Sequence, residues 1–238
     1  MILLLDIGNS RIKTAIWNGR SLKAGPTVEH HGEPAQALAK LKGKPQAVWA
    51  SNVTGAKHEA ELQHAASKLW QQPIHFARST KKALGVSNSY KEPQRLGIDR
   101  WLTLLAGSPL AGGAVVVADA GTALTIDCAD QNGKHLGGFI APGLTTALNA
   151  TLGNTRFPTR SLSARYTGGL GKDTEACVRQ GAYLACLGAI DRGSAAAGQG
   201  ARKFITGGDA KLLLPNLQGE WEHRPLLVFE GLLALAKS

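Results

Sequence analysis

Two short stretches of this 238-residue chain, 113 residues apart, carry the residue types that phosphate chemistry needs. The first reads Leu3-Leu4-Leu5-Asp6-Ile7-Gly8-Asn9-Ser10 and the second Val116-Val117-Ala118-Asp119-Ala120-Gly121-Thr122. Each is an apolar run, then Asp-x-Gly with an amide or hydroxyl residue, then a second apolar stretch, Ile12 to Trp17 in one case and Leu124 to Cys128 in the other. A buried strand ending in Asp presents a carboxylate at a sheet edge, and a glycine two residues later lets the backbone turn tightly and approach a ligand. Backbone N–H groups beside Asn9, Ser10 or Thr122 can cradle phosphate oxygens, while the aspartate can hold Mg²⁺ directly or through water. A single turn of this kind is also an ordinary hairpin. Two, spaced by close to half the chain, point to a duplicated domain with one acidic turn per copy.

The elements that must position these turns repeat in order. Strands are expected at Met1 to Asp6, Arg11 to Trp17 and Ser21 to Glu29, the last two joined through Asn18-Gly19, a two-residue hairpin signal. A helix from Pro34 to Leu41, a strand Ala47 to Ser51, a helix Ala56 to Trp70, a strand Ile74 to Ala77 and a helix Gln94 to Leu105 complete a βββαβαβα set. The second half gives strands Ala114 to Asp119, Ala123 to Asp127 and His135 to Ile140, then a helix from Pro142-Gly143 to Leu152. An irregular Gly- and Arg-rich segment follows (Gly153 to Gly171), then a long helix Asp173 to Ala197. A strand Phe204-Ile205, a helix Asp209 to Leu214, a strand Leu226 to Val228 and a helix Glu230 to Lys237 close the set. The domain boundary is expected between Leu105 and Gly113, dividing the chain into residues 1–108 and 109–238. In this topology the two Asp-x-Gly turns face each other across an interdomain cleft, where open α/β folds bind ligands.

Composition narrows the function classes. With 43% hydrophobic and 18% charged residues the chain reads as an ordinary globular protein. Met1 to Leu5 is too short and lacks the basic lead-in of a signal peptide, and no stretch approaches the roughly 18 apolar residues of a membrane span. Cys128, Cys177 and Cys186 form no CxxC, which predicts reduced thiols and a cytoplasmic setting rather than a zinc site. The net charge of +10 is concentrated in the first half, +8 on residues 1–105 against +2 on the rest. The lysines are dispersed and aromatics make up only 5%, so a solvated surface is expected rather than a specific nucleic-acid site. The seven histidines show no metal-ligand spacing and are expected at the surface or in the core.

Taken in order, several segments resemble the type III pantothenate kinases, also called the Bvg accessory factor family, within the acetate and sugar kinase/Hsp70/actin superfamily. They are Asp6-Ile7-Gly8-Asn9-Ser10, Gly97-Ile98-Asp99-Arg100, Asp119-Ala120-Gly121-Thr122-Ala123-x-Thr125-x-Asp127, Gly137-Gly138-Phe139-Ile140-Ala141-Pro142-Gly143 and Thr206-Gly207-Gly208, and they cover nearly the whole chain. Where the family's first motif usually continues Thr-Asn, this chain reads Ser10-Arg11: the hydroxyl is kept and the arginine either adds phosphate affinity or faces solvent. The resemblance implies an α/β fold of duplicated actin-like (ribonuclease H-like) domains. It also implies transfer of the ATP γ-phosphoryl group to pantothenate at the entry to coenzyme A synthesis, Mg²⁺ with ATP, activation by K⁺ or NH₄⁺, and a homodimer.

On that resemblance, residues Asp6, Ile7, Gly8, Asn9, Ser10, Arg11, Ile12 and Lys13 form the β/γ-phosphate turn and Thr122 binds ATP from the other lobe. Asp6 and Asp119 are the metal groups. Asp99 is the base for the acceptor hydroxyl, with Gly97 allowing close approach, Arg100 neutralising anionic oxygens, and Tyr90, Ile98 and Thr174 completing the pantothenate site. Without the resemblance, Asp99 and Arg100 read as a surface pair on the helix from Gln94, and Thr174 as part of a helix N-terminus. Thr206-Gly207-Gly208 is either the superfamily's adenosine motif or a helix-entry turn, and Asp127 reads as a structural strand residue. Two rivals remain: another phosphotransferase of the same superfamily, which should lack Gly-x-Asp-Arg, and a non-catalytic transcription accessory protein that binds nucleic acid.

Overall fold

Continuous apolar runs become the central strands of two sheets, because a strand flanked on both sides and covered on both faces has no solvent face to make polar. The first sheet contains β1 (Ile2–Ile7), β2 (Arg11–Trp17), β3 (Leu22–Glu29), β4 (Ala47–Asn52) and β5 (Ile74–Phe76), in spatial order β3-β2-β1-β4-β5. Helices α1 (Pro34–Leu38) and α2 (Ala56–Trp70) separate its later strands. Leu62, Ala66 and Trp70 recur every four residues along α2 and form its buried stripe over Leu5, Ile7 and Ile12. A small hairpin, β6 (Lys82–Ala83) and β7 (Val86–Ser87), and a 3₁₀ turn at Pro93–Arg95 lead into α3 (Ile98–Ala111).

The second sheet repeats the plan with β8 (Val115–Ala120), β9 (Ala123–Ala129), β10 (His135–Pro142), β11 (Arg202–Thr206) and β12 (Glu222–His223), ordered β10-β9-β8-β11-β12. Its helices are α4 (Leu144–Gly153), α5 (Thr174–Ala196) and α6 (Ala210–Leu213), and α7 (Leu227–Lys237) ends the chain. In each sheet the first strand pairs antiparallel with the second and parallel with the fourth. The duplication expected from the two turns is therefore present strand for strand. The computed structural model describes residues 1–155, 166 and 168–238, so most of the Gly- and Arg-rich segment lies outside the described residues.

Four local differences from the sequence reading have physical causes. The Asn18-Gly19 loop spans four residues, Asn18 to Ser21, because Asn18 keeps a negative φ and its Oδ1 instead accepts the Arg20 and Ser21 N–H groups. Helix α3 starts at Ile98 rather than Gln94, since Leu96 leaves the 3₁₀ turn in an extended conformation. The hairpin β6–β7 turns on Leu84-Gly85 with φ of 48° and 81°, a conformation leucine rarely adopts and sequence would not assign to it. The fifth strand of the second sheet is the polar pair Glu222–His223, and the apolar Leu226-Leu227-Val228 instead opens α7.

By contacts the chain forms two units, Met1–Leu110 with Leu226–Ser238, and Ala111–Pro225. The sequence reading carried α7 with the second lobe, but α7 packs on β1 and β4 of the first unit. At Gly231 α7 lies against α3, where a Cβ would run into the backbone of Leu102. Gly231→Ala should therefore destabilise the first unit by about 1–3 kcal/mol, the usual cost of overpacking against unyielding backbone. A lower urea midpoint would show this. An unchanged midpoint would mean that α7 is not seated as described.

Candidate active site

The first turn starts from Asp6, the next-to-last residue of β1, which is in register with Lys13 on β2 and Ser51 on β4. Its carboxylate is only 12% exposed and lies 3.8 Å from the Lys13 ammonium. Burial pushes the Asp6 carboxyl above the usual carboxylate range, and Lys13 and Ser51 oppose that shift without cancelling it. The Gly8 N–H donates to the Arg11 carbonyl at 3.1 Å and closes the turn. Ile7 and Ile12 are wholly buried in the core, so their contribution to a ligand is limited to backbone. Asn9, Ser10 and Arg11 are exposed. Arg11 faces Glu29 at 4.0 Å across the β2–β3 pair, a loose surface contact that leaves its guanidinium available.

Beneath this turn sits His30, the first residue after β3 and 5% exposed. Its backbone N–H donates to the Ser10 carbonyl at 3.2 Å, and its Nε2 lies 2.8 Å from the Gly8 carbonyl. Sequence reasoning missed His30, because its partners lie about twenty residues upstream and no local pattern marks it.

The second turn keeps the register and changes the details. Asp119 pairs in register with Thr125 on β9 and Thr206 on β11, so threonines stand at the register positions that Lys13 and Ser51 take beside Asp6. The connection is one residue shorter, Gly121-Thr122 against Gly8-Asn9-Ser10, and the Gly121 N–H donates to the Ala123 carbonyl at 3.1 Å. Gly143, the first residue after β10, donates to the Thr122 carbonyl at 3.1 Å, joined by the Thr146 hydroxyl at 2.6 Å. A side chain at Gly143 would collide with the carbonyls of Gly121 and Thr122. A Cβ at Gly207, whose φ is 94°, would likewise run into the Ala120 backbone and the Asp119 carboxylate. Thr206-Gly207-Gly208 thus wraps the acidic turn and also leads into α6, whose Asp209 N–H donates to the Ala120 carbonyl at 3.0 Å.

Asp127 lies 3.0 Å from the Nε2 of His135, and both side chains are buried, which gives Asp127 a structural partner. Burial and the neighbouring Asp127 push the Cys128 thiol up to about 11, so it stays protonated and inert.

The acceptor motif is organised by Asn88, a second residue that sequence reasoning missed. Only 2% exposed, Asn88 accepts the Tyr90 N–H at 2.9 Å and donates its amide to the Pro93 carbonyl at 3.1 Å. An Asx turn ahead of a proline is a readable signal once its neighbours are known to matter. Tyr90 in turn accepts from the buried Arg100 guanidinium at 3.1 Å. Asp99 occupies the first turn of α3, where its Oδ1 accepts the Arg100 N–H at 2.8 Å. A Cβ on Gly97 would sit 2.7 Å from that same oxygen, so glycine is what lets the carboxylate fold back. Tyr90, Gly97, Asp99 and Arg100 are therefore brought together in the first unit. Thr174 belongs to the second, exposed at the start of α5, where Asp173 caps the helix by accepting the Ala176 N–H at 2.7 Å.

Among the described residues no group of three or more His, Cys, Asp or Glu side chains could hold a metal unaided. Asp6 and Asp119, each within its own unit, offer hard carboxylate oxygens of the kind Mg²⁺ accepts alongside phosphate and water.

The profile of a family described as type III pantothenate kinase matches residues 2–196. The chain is 37% identical to a type III pantothenate kinase of Nitrosococcus oceani, covering 100% of this chain and 94% of that one. It is 34% identical to one of Halorhodospira halophila, covering 98% and 96%. Among solved structures it is similar to a Baf family transcriptional activator from Campylobacter jejuni, with a TM-score of 0.67 at 21% identity over 99% of this chain and 97% of that one. A 2-dehydro-3-deoxygalactonokinase from Sinorhizobium meliloti shares the fold at a TM-score of 0.57 and 12% identity, covering 100% and 98%.

The raised Asp6 carboxyl carries a stability consequence. The folded state binds that proton more readily than the unfolded chain, so above the ordinary aspartate range the ionised group costs stability. Asp6→Asn should raise the thermal midpoint at neutral pH, with the gain shrinking as the pH falls toward 4, near the ordinary aspartate value. A midpoint lowered at pH 7 would contradict this reading of the turn.

Proposed function

The chain belongs to the type III pantothenate kinase family, and on that premise we propose how its residues divide the transfer of the ATP γ-phosphoryl group to the primary hydroxyl of pantothenate. The product is 4′-phosphopantothenate, the first intermediate of coenzyme A synthesis. The observation that carries the assignment is the pair of acidic turns, Asp6 and Asp119, held at the same register point of two sheets with the same strand order.

In the first unit the backbone N–H groups of Asn9 and Ser10, with the side chains of Asn9, Ser10, Arg11 and Lys13, bind the β- and γ-phosphates; Thr122 adds a hydroxyl from the second. Asp6 and Asp119 hold the cations, Mg²⁺ with ATP and a monovalent ion, K⁺ or NH₄⁺. When bound, Mg²⁺ neutralises phosphate charge. Lys13 shares that task, and its 3.8 Å contact with Asp6 keeps a positive charge at the turn. Tyr90, Gly97, Ile98, Arg100 and Thr174 hold pantothenate. The Asp99 carboxylate takes the proton from the acceptor hydroxyl as that oxygen forms its bond to the γ-phosphorus and the bond to the ADP oxygen breaks. Arg100, oriented by Tyr90, presents a planar cation to substrate oxygens.

Leu136, Phe139 and Ile140 lie on the edge strand β10, and Ile140 is 66% exposed; an apolar edge of this kind supports the homodimer reading. No helix among the described residues is long and apolar enough to cross a membrane, and a cytoplasmic enzyme remains the reading of its three free cysteines. Dispersed lysines argue against the transcription accessory alternative, for which no specific nucleic-acid surface is proposed.

Two measurements bear on these roles. Asp99→Asn keeps size and removes basicity, so it should lower kcat about 10²–10⁴-fold while the KM for ATP changes little; near-normal kcat at saturating substrates would reduce Asp99 to a positioning residue. Replacing K⁺ with Na⁺ at matched ionic strength should depress turnover strongly, and equal rates would remove the monovalent cation from the account.

A further inference from the structure

We propose that His30 is a positioning residue for nucleotide binding: it aims the Asn9 N–H at the triphosphate by holding the Gly8 carbonyl in the opposite direction. The inference rests on the reading of the first turn as the phosphate turn. Gly32 donates its N–H to His30 Nδ1 at 3.2 Å, so Nδ1 is the acceptor. A neutral imidazole then carries its proton on Nε2, which donates to the Gly8 carbonyl at 2.8 Å. The peptide bond is planar and the Gly8–Asn9 bond is trans, so the C=O of Gly8 and the N–H of Asn9 point to opposite sides of one plate. His30 lies beneath the turn, 5% exposed, while Asn9 is exposed. Fixing the carbonyl inward therefore fixes the Asn9 N–H outward.

The main chain of His30 adds a second hold, its N–H donating to the Ser10 carbonyl at 3.2 Å. The two bonds bracket the residues between them, and a three-residue loop containing Gly8 and Asn9 would otherwise sample several peptide orientations. The second unit supports the assignment by contrast. Its residue after the third strand, Gly143, makes the matching main-chain bond to Thr122, but the side-chain donor there is Thr146, acting on the same Thr122 carbonyl. A buried imidazole reaching back to the glycine of the turn is thus particular to the first unit.

Two amides separate the contributions of the ring nitrogens. Glutamine at position 30 reaches as far as Nε2 and can donate to the Gly8 carbonyl, whereas asparagine reaches only as far as Nδ1 and can serve Gly32 alone. His30→Asn should raise the KM for ATP about tenfold, corresponding to about 1.4 kcal/mol for one lost hydrogen bond, and leave the KM for pantothenate within about twofold. His30→Gln should bring the KM for ATP back to within about threefold of the parent. The proposal is overturned by an unchanged KM for ATP in His30→Asn, by a glutamine variant no better than the asparagine one, or by KM values that rise together for both substrates. Asp6→Asn, measured in parallel, separates the two levels of the argument. If it leaves ATP use intact, the phosphate assignment of the turn is wrong and the His30 role falls with it. If it impairs ATP use while His30→Asn does not, only the His30 role is wrong.

Discussion

One backbone hydrogen bond, made twice, holds the two acidic turns of this chain in place. The residue that follows the third strand of each sheet donates its N–H to the last carbonyl of the acidic turn, His30 to Ser10 at 3.2 Å and Gly143 to Thr122 at 3.1 Å. That bond ties the turn between the first two strands to the exit of the third. It sets where each chain leaves its sheet and leaves the turn's opposite side open. The strand register does the rest, because Asp6 and Asp119 occupy the same position between an antiparallel and a parallel neighbour.

Satisfying one turn with a histidine and the other with a glycine has different consequences. Gly143 lets the backbone lie directly on Gly121 and Thr122, and Gly207 closes on the same turn from β11, so the second site is walled by main chain. The first is held by a side chain and keeps a lysine beside its carboxylate. A buried carboxylate with an ammonium at 3.8 Å is a compromise between solvation and charge. Burial raises the carboxyl, so the arrangement is poorer for folding than a neutral residue would be.

Much of this was legible in the sequence, for reasons that are local. β1 and β8 announce themselves as unbroken apolar runs ending in Asp-x-Gly, and the stripe Leu62, Ala66, Trp70 marks α2. The features that escaped depend on distant partners. Glu222–His223 has no strand pattern and pairs only because β11 offers an edge, while Leu226-Leu227-Val228 is as compatible with a helix as with a strand until its packing on the first unit decides. Asn88 looks like a loop residue until Pro93 and Tyr90 are known to meet it. His30 carries no metal-ligand or catalytic spacing, and its task appears only when the chain returns to Gly8.

The account stands on phosphates meeting the first turn and the acceptor meeting α3. A crystal structure of the protein with a non-hydrolysable ATP analogue, Mg²⁺ and pantothenate tests that directly. The expected result places the β- and γ-phosphates within hydrogen-bond distance of the Asn9 N–H, with the pantothenate primary hydroxyl within reach of the Asp99 carboxylate. A triphosphate bound away from the Gly8–Ser10 turn, or a hydroxyl out of reach of Asp99, would contradict it.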